Sequence, residues 1–142
     1  MPRIKIDLPS FSFETKIPLR ITDLNYGNHV GNDTILGILH EARVQYLKKF
    51  GLEELKFGDA GLIMSDAAIE FRKEAFYGDT IVASVQAAEF SRASFELYYK
   101  LEKEEDGKRV IVAMAKTAMV CYDYDAKKIA AIPEDIKEKM LG

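Results

Sequence analysis

The sequence predicts an α+β domain in which a sheet of mostly antiparallel strands wraps one long amphipathic helix. Three observations carry this. One stretch, starting near Asn32 and ending before Gly51, repeats apolar residues at three- and four-residue steps. Strand-like apolar runs fill most of the remaining chain. The order along the chain is strand, long helix, four strands, short helix.

The elements follow in turn. Phe11 to Ile21 alternates Phe11, Phe13, Thr15, Ile17, Leu19 and Ile21, and Pro18 marks an edge strand or a bulge because it lacks a ladder donor. Thr22 to Asn32 is polar, with Gly27 and Gly31, and reads as a loop. The helix carries Ile35, Ile38, Leu39, Ala42, Tyr46, Leu47 and Phe50. Asn32 or Asp33 is positioned to cap it, Lys48 and Lys49 suit its negative end, and Gly51 is a left-handed stop. Gly37 costs the helix about 1 kcal/mol, which a close approach to the sheet would explain. After a link at Glu53 to Phe57 come strands over Leu62–Phe71, Thr80–Phe90, Phe95–Glu102 and Arg109–Tyr122. The turn signals are Tyr77-Gly78-Asp79 and Asp106-Gly107. Pro133 then opens a short helix, Glu134–Met140. A helix of about 18 residues is roughly 27 Å long and covers only part of one sheet face, so something else must cover the rest.

Composition narrows the function. The 142 residues suit one domain over 1–142, and 48% apolar with 30% charged residues is ordinary for a folded soluble chain. Twenty Lys and Arg against 23 Asp and Glu give a net charge of −3, which argues against a nucleic-acid binder. The lone Cys121 excludes an internal disulfide and reads as core. No apolar run is long enough to span a bilayer, and Met-Pro-Arg-Ile-Lys-Ile-Asp lacks a signal-peptide core, so the expectation is a cytoplasmic protein. No phosphate-loop or dinucleotide motif is present.

Polar side chains concentrate in Thr22-Asp23-Leu24-Asn25-Tyr26-Gly27-Asn28-His29-Val30-Gly31-Asn32-Asp33, which runs straight into the long helix. Free N–H groups in a first helical turn stabilise an anion, including an oxyanion on a carbonyl under attack. The plainer reading is a helix cap with solvated loop residues. His29 has an imidazole suited to proton transfer near neutrality.

This segment, Glu41-Ala42-Arg43 on the helix, Ile69-Glu70-Phe71-Arg72, Tyr77-Gly78-Asp79, Arg92-Ala93-Ser94-Phe95 and Ile132-Pro133 together resemble the hotdog-fold acyl-CoA thioesterases of the 4-hydroxybenzoyl-CoA thioesterase type. The resemblance covers nearly the whole chain. It implies a curved antiparallel sheet of about five strands around a central helix. It also implies a homodimer, in some members a homotetramer, and a thioester site at the interface near the helix start. The substrate would be an acyl-CoA or an acyl carrier protein thioester, with no metal or organic cofactor. Backbone N–H groups around Val30, Gly31 and Asn32 would polarise the carbonyl, and Arg72, Lys73, Arg92 and Lys100 are the cations available to CoA phosphates. His29 matches a loop histidine that orients the thioester or its water.

One departure matters. The second Asp of the family's Asp-x-Asp pair, a nucleophile or base in many members, is Asn25 here, and an amide takes no proton near neutral pH. Asn25 and His29 would then place substrate or water. The base would be Asp23, or Glu41 reaching across from a partner chain. The alternative is an acyl-thioester binding protein without hydrolysis. A hotdog dehydratase is disfavoured because its Asp–His dyad is not evident.

Overall fold

The computed structural model describes residues 5–25, 27 and 30–141. Strand β1 (Phe13–Pro18) is followed by a 3-10 turn (Ile21–Asp23) and helix α1 (Asn32–Lys49). Then come β2 (Gly61–Phe71), β3 (Thr80–Ala88), β4 (Ser94–Glu105), β5 (Lys108–Asp123), the two-residue β6 (Lys128–Ile129) and α2 (Glu134–Leu141). The sheet order is β1-β3-β4-β5-β2, with β6 added on β5, and every pairing is antiparallel. This is the expected α+β arrangement of one long helix against one sheet.

Alternation decides which sheet face meets the helix. Ile81, Ala83, Val85 and Ala87 of β3 and Phe95, Leu97, Tyr99 and Leu101 of β4 are buried in one core with the apolar stripe of α1. Tyr46 is fully buried there, with its hydroxyl accepting the Ala87 N–H at 3.0 Å. The other sheet face carries Ser84, Gln86, Lys100 and Glu102, and residues 5–12 lie along part of it. Ile6 is buried, Lys100 Nζ stands 5.3 Å from the Phe11 ring, and Ser12 donates to Gln86 Oε1. Chain ahead of β1 thus supplies part of the missing cover.

Several expectations shift. The first strand is shorter than Phe11–Ile21, because the Leu19 N–H leaves the ladder for the Asp79 carbonyl and a 3-10 turn follows. Pro18 sits at the last position of an edge strand, where no donor is missed. The helix cap is Gly31, with no side-chain cap bond, and Asn32 and Asp33 lie inside the first turn. Gly37 does not serve a close approach, since a Cβ there would meet nothing within 4 Å. β3 ends at Ala88, because Glu89 has φ 52° and turns the Phe90 ring back to stack on Phe95. Gly51 (φ 74°) is the left-handed stop, and Asp106 (φ 53°) with Gly107 (φ 77°) makes the hairpin turn. Cys121 is buried, and burial pushes its thiol pKa up, away from a reactive thiolate.

A charge is buried between helix and sheet. Arg43 is 7% exposed; its Nε donates to Glu54 Oε1 at 2.8 Å and its Nη1 to the Tyr99 hydroxyl at 3.2 Å. That hydroxyl in turn shares a proton with Thr117 at 2.7 Å. His40 Nε2 lies 2.9 Å from the other Glu54 oxygen, and the Glu54 carbonyl accepts the Leu62 N–H, so the network reaches from α1 to β2. Burial pushes the Glu54 carboxyl up, but hydrogen bonds and charge from Arg43, with His40 behind them, outweigh it and hold the group below its ordinary value of 4.5.

Arg43→Met should cost about 2–3 kcal/mol in urea unfolding at neutral pH, less than a fully buried pair because Glu54 keeps some water. A carboxyl with a lowered folded pKa stabilises above its unfolded value and loses that contribution as pH falls through the folded one. Wild-type urea midpoints should therefore drop more steeply below about pH 4.5 than those of Arg43→Met.

Candidate active site

The approach to α1 is built from a short closed loop. Leu24 and Val30 bridge antiparallel, and the Asn25 side-chain oxygen accepts the Gly27 N–H at 2.9 Å. The Val30 N–H then donates to the Ala75 carbonyl at 2.8 Å, so the loop is pinned just ahead of the helix. Gly31 precedes α1 without a side-chain cap, and the Ile35 N–H is bonded to the Gly31 carbonyl. The amides of Asn32, Asp33 and Thr34 come before that first intrahelical bond, at the positive end of the dipole. A Cβ at Gly31 would fall 2.7 Å from Asp33 Oδ1 and 3.5 Å from Asn25 Nδ2, so the glycine keeps this junction open.

Two clefts flank the helix start. The larger, about 550 Å³, runs between β1 and α1; Asp23, Asp33, Thr34, Gly37 and Glu41 line it, with Lys16 and Arg20 among its cations. Asp33, Gly37 and Glu41 recur every four residues on one helix flank, and the missing side chain at Gly37 widens the passage between the two carboxylates. The smaller cleft, about 290 Å³, lies on the other flank. Its wall is Val30, Asn32, Ile35, Phe71 and Val112, with Arg72 and Lys73 beside them.

The expected site residues therefore divide. Val30, Asn32, Arg72 and Lys73 share the smaller cleft, with Gly31 between two of them. Asp23 and Glu41 share the larger one. Asp23 is positioned by Arg20, whose backbone N–H donates to Oδ2 at 2.7 Å and whose guanidinium lies 3.4 Å from Oδ1. Glu41 is exposed and held by the Gln45 amide at 2.6 Å, and Gln45 is bonded in turn to Thr15 of β1. Glu41 thus faces β1, whereas His40 and Val44 lie on the flank toward Glu54, with Leu36 on the same line one turn earlier. Arg72 pairs with Glu70 at 2.9 Å and Lys73 with Glu105 at 2.5 Å. Arg92 is set apart, in a hollow with Ser91, Ile132, Glu134 and Lys137 at the far end of β3. Lys100 is on the outer sheet face. His29 lies outside the described residues.

Sequence reasoning missed the Arg43–Glu54–Tyr99–Thr117 network. Arg43 was visible in Glu41-Ala42-Arg43, but its partners come from three other segments. Its position on the apolar stripe, between Ala42 and Tyr46, was the available signal.

A sheet wrapped on one helix, with polar clefts at the helix start, is the architecture of hotdog thioesterases, and the chain belongs to the thioesterase-like superfamily, whose family model matches residues 19–140. Among relatives, a 1,4-dihydroxy-2-naphthoyl-CoA hydrolase of Microcystis aeruginosa is 33% identical over 106 residues, spanning 72% of this chain and 74% of that protein. A solved 4-hydroxybenzoyl CoA thioesterase mutant complexed with 4-hydroxybenzoyl CoA superposes with a TM-score of 0.82 at 20% identity, covering 92% of this chain and 99% of that one. A 1,4-dihydroxy-2-naphthoyl-CoA thioesterase from Synechocystis gives 0.80 at 23% identity, covering 91% and 95%. Among the described residues no helix is long and apolar enough to cross a membrane.

Gly31→Ala tests the open junction. Only a flexible carboxylate has to move, so Tm should stay within about 2 °C of wild type in a melting scan. Thioester turnover should fall about tenfold because the Asp33 carboxylate is displaced at the helix start.

Proposed function

We propose that the protein hydrolyses an acyl-CoA thioester to a carboxylic acid and free CoA. The observation that carries this is the convergence of two clefts on an uncapped first helical turn, in a chain of the thioesterase-like superfamily. The thioester carbonyl rests against the leading amides of α1 at Asn32, Asp33 and Thr34, which stabilise the oxyanion as it forms. The Val30 N–H, expected to share this role, is taken by the Ala75 carbonyl instead. Arg72 and Lys73 at the smaller cleft meet phosphate charge, and Phe71, Val30 and Val112 supply an apolar wall. Asn25, fixed by the Gly27 N–H, orients the substrate or the attacking water. The chain's own groups suffice for this scheme, with no metal or organic cofactor.

Asp23 is the better placed base within one chain. It shares its cleft with Asp33 and Thr34 at the helix start; Oδ2 takes the Arg20 N–H at 2.7 Å, and Oδ1, with the Arg20 guanidinium at 3.4 Å, is the oxygen that would take the proton. Glu41 stands two turns further along, about 12 Å by helical rise. Water attacks the carbonyl carbon while Asp23 takes its proton; collapse of the tetrahedral intermediate breaks the C–S bond, and the CoA thiolate leaves. Asn25 also favours a second reading, a protein that binds acyl thioesters without cleaving them.

The active unit is proposed to be a homodimer joined along β2. That strand is a sheet edge, with Met64 and Phe71 about half exposed, and the adjacent α1 flank exposes Leu36 and Val44. A partner added there would complete the smaller cleft.

Thiol release from a panel of acyl-CoAs checks the chemistry. Asp23→Asn should lower kcat about a hundredfold or more, and Glu41→Gln only a few fold. The reverse pattern makes Glu41 the base, and binding without any turnover makes the protein a carrier. Light scattering should give a dimer mass, and Met64→Glu with Phe71→Glu should shift it to monomer and depress turnover.

A further inference from the structure

Lys103 is a cation that the proposed chemistry does not touch, and it is only 4% exposed. It continues the inward series Phe95, Leu97, Tyr99 and Leu101 along β4, so the helix-facing side of the strand ends in an ammonium. A lone buried ammonium is strongly disfavoured unless it is paired. Here Nζ lies 3.2 Å from Asp79 Oδ2 and 3.6 Å from Glu105 Oε2, and 4.9 Å from the centre of the Phe76 ring.

What those partners hold explains why the charge is tolerated. Asp79 Oδ2 also accepts the Phe76 N–H at 2.9 Å, and the Asp79 carbonyl accepts the Leu19 N–H at 3.0 Å. One residue earlier than Phe76, the Ala75 carbonyl receives the Val30 N–H that pins the loop before α1. At the other end, the Val112 carbonyl, at a β5 bulge, accepts both the Arg72 and Lys73 N–H groups. Glu105 joins the two ends, because its second oxygen holds Lys73 Nζ. A single ammonium therefore ties down the segment from Arg72 to Asp79, which walls the smaller cleft and supports the site loop.

We propose that Lys103 is a positioning residue for the thioester site: through Asp79 and Glu105 it fixes the 72–79 segment, which sets the Val30 loop through Ala75 and the place of Lys73. The proposal rests on the function argued above. It assigns Lys103 no contact with substrate.

Steady-state kinetics on acyl-CoA, combined with hydrogen exchange at the Val30 amide, test it. Lys103→Met should lower kcat about tenfold, raise KM and speed Val30 exchange. Asp79→Asn, which weakens the same contact from the other side, should do likewise and decides the matter if Lys103→Met does not fold. Lys103→Arg should restore both constants to within about threefold, whereas Lys116→Met, at an outer-face pair, should change neither. A Tm drop in Lys103→Met with kcat, KM and Val30 exchange all unchanged overturns the proposal and leaves a stabilising pair only. If wild type cleaves no thioester, the proposed activity fails on its own. Lys103 is then judged by Val30 exchange and by affinity for a non-hydrolysable acyl-CoA analogue.

Discussion

The guanidinium of Arg43 is buried between α1 and the sheet, and most of the geometry follows from satisfying it. A charge so placed needs a carboxylate and a further acceptor, and they come from separate segments: Glu54 after the helix and Tyr99 on β4, whose hydroxyl is held in turn by Thr117 on β5. Meeting that demand fixes the roll of α1 about its axis. It also fixes where the chain leaves the helix to begin β2, through the Glu54 carbonyl and the Leu62 N–H. Apolar packing alone would tolerate small rotations of the helix on a sheet of Leu, Ala and Val. A directional donor set does not.

With the middle of the helix held by Arg43 and its later turns by the Tyr46–Ala87 bond, the first turn is left to meet the loop. Its cap is a glycine, which has no side chain to bond the leading amides. The loop gets its position from neighbours: Asn25 closes it locally, and Ala75 receives Val30. The roll imposed by Arg43 also sorts the polar residues of α1. Glu41 goes toward β1 with Asp33 and Asp23, while His40 and Val44 go toward Glu54, and Leu36, one turn before His40, shares their exposed flank. A partner along the β2 edge would meet the second set, which is why Asp23 is favoured over a Glu41 supplied from another chain.

The fold was legible because local signals agreed with one another. The period of α1, the alternation in β4 and the Asp106-Gly107 turn each state a backbone preference that packing did not override. Less legible were features whose cause lies far away in sequence. The end of β1 depends on a carbonyl at Asp79, and Phe90 rejoins the core only because Glu89 takes a left-handed conformation. Gly37 looked like a packing glycine, but whether a helical glycine faces a sheet or a cleft depends on the roll of the helix, which Arg43 and its distant partners set. The site followed the same division. The loop and its junction with the helix were readable as a block, and the cations were not, since Arg92 and Lys100 lie on different surfaces from Arg72 and Lys73.

The arrangement of charge bears on how an amide can stand where the resemblance implies a second carboxylate. Asn25 sits beside the helix start, where amides and dipole favour an anion, and in the proposed scheme a carboxylate there would compete with the developing oxyanion for the same donors. The first carboxylate of the pair is kept as Asp23, beside Arg20, so in the proposed scheme a proton acceptor stays in the cleft but away from those amides. Asn25 offers both a donor and an acceptor, so it can hold a water between the two without adding charge. On this reading the substitution separates the group that takes the proton from the place where the oxyanion forms. It requires only that a water reach both Asp23 and the thioester carbon across the closed loop.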